Sequence, residues 1–87
     1  MKVLHIKNIN KKDIPLHYRN EYSGCALIEL NSSEQMEKKI NFILERGATG
    51  MVDISIELLE DVEYPLVPII KTLKDYIGEL DKKGELP

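Results

Sequence analysis

No tryptophan occurs in this sequence, and it has only one phenylalanine, Phe42, and one cysteine, Cys25. A single cysteine excludes an internal disulfide and every zinc site built from cysteine pairs. The fold must therefore rest on packing, and the cysteine usage points to a reducing compartment. Long apolar runs are also missing. The longest, around Leu66–Ile70, falls far short of the roughly 20 residues a membrane span needs. The opening stretch MKVLHIKNINKK alternates apolar with polar residues and lacks the continuous apolar segment of a secretion signal. Repeats and low-complexity stretches are absent. These absences lead to the expectation of a soluble, cytoplasmic protein with no membrane association.

What remains is enough for one folded unit. The 87 residues form a single domain spanning 1–87, and 43% hydrophobic with 31% charged content argues against disorder. A chain of this size buries about 60–65% of the surface its unfolded form exposes, so its core is modest. The net charge of −3 is unevenly placed. Residues 1–20 carry five basic groups against one acid, and residues 21–87 carry seven against fourteen. The basic end attracts anions and the remainder repels them.

Five periodic segments stand out. Lys2–Ile9 alternates loosely around Leu4 and Ile6 and reads as a strand. Asp13–Gly24 reads as a connection, because Pro15 forbids an interior strand and Asn20, Ser23 and Gly24 form turns. Cys25–Leu30 reads as a strand with Ala26, Ile28 and Leu30 on one face. Met51–Leu58 is the clearest strand, with Val52, Ile54, Ile56 and Leu58 alternating with Asp53, Ser55 and Glu57. The last segment is a helix after Pro65. Leu66, Ile69, Ile70, Leu73, Ile77 and Leu80 recur at helical spacing, and Lys82, Lys83 and Gly84 close it. Pro65 and Pro68 are tolerated because first-turn N–H groups have no helical partner.

The segment Ser32–Glu45 admits two readings. Ser32 and Gln35 have capping-box spacing, Met36, Ile40, Ile43 and Leu44 share a helical stripe, and Arg46–Gly47 supplies a stop. That helical reading is preferred. Phe42 objects to it, because it points about 120° away from the stripe. In an extended chain Ile40, Phe42 and Leu44 would share one face, and Glu45–Gly50 would close a hairpin onto the next strand. The expected fold is α+β, ordered β-β-α-β-α, a three-stranded sheet covered on one face by two helices. The alternative is β-β-β-β-α, an antiparallel sheet closed by a C-terminal helix.

Chemistry-bearing residues are sparse. Cys25 with His5 and His17 is the only nucleophile-and-base set, and nothing in the spacing brings the histidines to the thiol. The acids Glu57, Glu60, Asp61 and Glu63 lack the arrangement of a calcium loop. Gly47–Gly50 is set at a helix C-terminus, where the dipole repels phosphate. No metal or cofactor is expected. The stretch with Lys11, Lys12, His17, Tyr18, Arg19 and Tyr22 is the candidate binding site, since basic residues among aromatics can hold phosphates and stack a base. Tyr64, Val67, Tyr76 and Ile77 widen the last helix's apolar stripe beyond what a three-stranded sheet covers, which suggests a homo-oligomer or a protein partner. The leading expectation is a non-catalytic interaction or regulatory module that self-associates. Salt-sensitive RNA or DNA binding through Lys11–Tyr22 is the alternative, and a thiol-dependent or small-ligand enzyme is the third.

Overall fold

A computed structural model describes residues 1–87. The chain runs β1 (Lys2–Lys11), β2 (Arg19–Asn31), β3 (Glu34–Arg46), β4 (Val52–Leu58) and α1 (Leu66–Lys82). The four strands form one sheet in the order β1-β2-β3-β4, with every neighbouring pair antiparallel. The helix lies on one face of this meander. It is not long and apolar enough to cross a membrane.

The β-β-β-β-α order corrects the preferred reading of the sequence, which had a three-stranded sheet and two helices. Residues 34–46 are a strand throughout. The polar Asn31–Glu34 stretch is a hairpin turn, with Asn31 paired to Glu34 and only Ser32 and Ser33 between them. The Asn31 carboxamide oxygen accepts from the Ser33 N–H at 3.0 Å and from its hydroxyl at 3.1 Å. This is the local side-chain bonding that lets asparagine initiate turns. Gly47–Gly50 likewise closes the β3–β4 hairpin rather than a helix. The Gly47 N–H donates to the Met51 carbonyl at 2.8 Å, and Gly50 adopts a φ of +84° that suits its missing Cβ.

Phe42 sits at the centre of the buried face with no exposed surface. It lies directly opposite Tyr22 on β2, and the two rings stack with centroids 5.0 Å apart. Cross-strand aromatic pairs of this kind add stability beyond the area they bury. Around them pack Val3 and Ile6 of β1, Ala26 and Ile28 of β2, Ile40 and Leu44 of β3, and Ile69, Leu73 and Ile77 of α1. The tail returns to this core. Leu86 packs against it, and the Tyr22 hydroxyl donates to the Pro87 carbonyl at 3.2 Å.

The first strand is longer and less regular than its alternation suggests. Its register shifts between Val3 and His5 and again between Lys7 and Asn10. At the second shift Asn8 takes a φ of +56°. The extra residue turns both Ile6 and Ile9 toward Gly24, where a Cβ would meet Ile6 Cγ2 at 3.0 Å and Ile9 Cγ1 at 3.5 Å. Bulges work in this way, re-aiming side chains and bending the strand. Gly24, expected in a connection, is therefore a strand residue that admits the bulged neighbour.

Candidate interaction surface

The basic stretch between β1 and β2 does not gather into one site. Lys11, Lys12 and His17 line an open hollow of about 540 Å³ together with Asp13, Ile14, Leu16 and Asn20. Tyr18 is 55% exposed but lines a different hollow, beside Glu45, Arg46, Met51 and Asp53. Arg19 is engaged by two carboxylates, Glu21 at 3.2 Å and Glu45 at 3.5 Å. Tyr22 is 3% exposed and stacked on Phe42, so its ring offers no platform for a base. A phosphate contact here would rest on Lys11, Lys12 and His17, with Asp13 among them.

The sheet face away from the helix is polar. Lys7, Cys25 and Lys39 stand side by side across three strands. Glu37 reaches diagonally between them, bonding Lys7 Nζ at 3.0 Å and accepting from the Cys25 thiol at 3.2 Å. The hydrogen bonds from Lys7 and Cys25 hold the Glu37 carboxyl below its ordinary range, and the same contact raises Lys7. Desolvation, followed by the Glu37 hydrogen bond, pushes the Cys25 thiol up. A carboxylate rather than an imidazole is thus the thiol's partner, which opposes the thiolate a nucleophile requires. No three His, Cys, Asp or Glu side chains converge closely enough to hold a metal ion.

The third region lies where β4 meets the start of α1. As the last strand of the sheet, β4 has one free edge. Its ladder with β3 is bonded through odd-numbered residues. The Leu59 N–H donates to the Lys39 carbonyl at 3.0 Å, and the Met51 carbonyl accepts from the Gly47 N–H at 2.8 Å. In an antiparallel pair such bonds alternate. The N–H and C=O groups of Val52, Ile54, Ile56 and Leu58 therefore point outward from the sheet.

The side chains of those four residues face the helix but are only half-buried. Beside them a hollow of about 550 Å³ is lined by Ile56, Leu58, Val62, Leu66 and Ile70, with Glu60 and Asp61 at its rim. Leu59, Leu66 and Val67 are 47%, 55% and 80% exposed. Of the four residues expected to widen the helix stripe, only Val67 is exposed. Ile77 is in the core, and Tyr64 and Tyr76 pack partly against it. The Tyr64 hydroxyl donates to Glu34 at 2.8 Å, and that hydrogen bond raises its pKa.

Charge marks this region as well. Asp53, Glu57, Glu60, Asp61 and Glu63 lie between Arg46 and Lys71, a stretch with no lysine or arginine. None of the five is in an ion pair. Glu60 accepts instead from the Lys39 backbone N–H at 2.8 Å, finishing the ladder. The alternation of Met51–Leu58 exposes the two faces of this strand in the sequence. Its position at the sheet edge follows only from the neighbours it acquires.

Among known proteins, no curated protein and no solved structure matches the chain. A family model does match, over residues 1–82, and the chain belongs to that family, whose designation is a locus label and not an activity.

Proposed function

We propose that this member of the family is a small non-catalytic module that binds another protein through the apolar hollow between β4 and α1. The observation that supports it most is the clustering of Leu59, Leu66 and Val67, exposed on one rim around that hollow. Scattered surface leucines are ordinary, whereas a contiguous apolar patch with an acidic rim is the composition of a protein contact. The raised Cys25 thiol and its carboxylate neighbour favour a binding role over thiol chemistry. A reducing, cytoplasmic setting suits a free cysteine of this kind.

A photo-crosslinking residue in place of Val67 tests the reading in cells that make the protein. A discrete protein adduct is expected from position 67, absent from position 33 at the far hairpin, and lost on Leu66→Glu. Equal labelling from both positions would sink the proposal. Self-association is the second reading, favoured by the 80% exposure of Val67 on the outer side of the helix. Light scattering at tens of micromolar decides it, and a strict monomer removes it.

A further inference from the structure

The two edges of the sheet are built differently. The β1 edge carries Lys2, Lys7 and Lys11, two register shifts and a left-handed Asn8. These are the devices by which proteins stop a sheet edge from recruiting another strand. The β4 edge has none of them. It pairs with β3 without a register shift over Val52–Leu58, contains no lysine or proline, and leaves the backbone groups of four residues pointing outward. Such an edge is a template for strand addition.

We infer that β4 accepts an extended segment of a partner protein as a fifth antiparallel strand, and that this segment alternates apolar with basic residues. The inference rests on the proposed module and specifies what it binds. In an antiparallel pair, residues opposite one another face the same side of the sheet. Partner residues opposite Ile54, Ile56 and Leu58 therefore turn toward the helix, where the hollow lined by Val62, Leu66 and Ile70 receives apolar side chains. Partner residues opposite Asp53 and Glu57 turn to the polar face. There the two exposed carboxylates have no ion-pair partner within the chain. Opposite charges across strands favour pairing and like charges oppose it.

The same rule argues against a second copy as the occupant. Pairing two β4 strands full length about Ser55 sets Asp53 of each opposite Glu57 of the other, acid against acid. Acids would also meet an acidic segment, so the charge selects a basic one.

The test titrates the full chain with a capped peptide as long as β4, 7 residues, alternating lysine with valine. Binding is followed by amide NMR and hydrogen exchange. The expected result is binding with slowed exchange at Val52, Ile54, Ile56 and Leu58, lost when the peptide valines are N-methylated. Asp53→Lys/Glu57→Lys alters only exposed side chains. It is expected to bind the lysine peptide roughly tenfold more weakly and to bind a glutamate–valine peptide that the natural chain refuses. No binding at millimolar peptide overturns the inference, as does equal binding of the N-methylated peptide or indifference to the charge swap. Edge amides already protected in the free protein, in proportion to its concentration, would assign the edge to a second copy instead. Shifts at Leu66, Val67 and Ile70 that spare the four edge amides would overturn strand addition while leaving the interaction module standing.

Discussion

Single residues carry an unusual share of this small domain's stability. Phe42 is the only phenylalanine and is fully buried against Tyr22. Phe42→Ala removes the stacked ring and leaves a cavity that the flanking strands cannot close. The expected loss is about 3–5 kcal/mol, read by urea unfolding with the far-UV signal. A loss under one kcal/mol would mean that the pair is not central. On the opposite face Glu37 acts on chemistry more than on stability. Its carboxyl is lowered by Lys7 and Cys25, so its contribution is present above the ordinary carboxylate range and is lost as pH falls through the depressed value. Glu37→Gln is therefore expected to flatten the acid limb of the stability profile slightly, both partners being exposed. Removing the carboxylate also takes away one cause of the raised thiol. Alkylation of Cys25 at neutral pH should then be faster in Glu37→Gln, and an unchanged rate would contradict the Sγ–carboxylate hydrogen bond.

At the scale of elements, the bulge in β1 and the glycine in β2 are one device. Asn8 takes the left-handed conformation that asparagine tolerates and β-branched residues do not. Asn8→Gly is expected to keep stability within about 0.5 kcal/mol, whereas Asn8→Val costs about 1–2 kcal/mol. Paired denaturant curves for the two variants check this. Gly24→Val places methyl groups where Ile6 already lies 3.0 Å from a built Cβ, and Lys7 carbonyl oxygen 3.4 Å away. Overpacking of this sort costs about 1–3 kcal/mol.

The third strand teaches the corresponding lesson about reading a sequence. Met36, Ile40 and Leu44 are four residues apart, a spacing that suits a helical stripe and one face of a strand equally. Lys38 breaks the strand alternation, yet it pairs with Ala26 on the buried face and is itself partly buried. Ile43 completes the helical pattern, yet it lies half-buried on the polar face opposite Glu21 and Ser55. Phe42 alone pointed to the strand. The Ser32–Gln35 capping spacing belongs instead to the hairpin turn. Cys25–Leu30 and Val52–Leu58 were legible because no helical stripe competes with their alternation, and the last helix because its stripe persists through several turns.

The whole molecule is a long twisted meander, 41 Å in its greatest extent, with one helix covering only part of one face. That shape concentrates the exposed apolar surface at the β4–α1 rim and separates it from the basic β1 side. Val67→Glu is expected to leave the unfolding midpoint nearly unchanged, because a position 80% exposed contributes within about 0.5 kcal/mol. The same variant should abolish any association that light scattering detects in the natural chain. A midpoint drop comparable to that of a core substitution would mean that Val67 is packed.

By itself the sequence determined the α+β class, two of the strands, the helix after Pro65 and the uneven charge. Each follows from local spacing or composition, which no distant contact has to complete. The tertiary structure alone decided that residues 34–46 are extended, that Tyr22 meets Phe42 across the ladder, and that the basic stretch is divided between two hollows and the core. It also decided that β4, rather than another strand, ends the sheet with its backbone unpaired. These outcomes depend on which strands become neighbours, and long-range pairing is information that a local period does not contain.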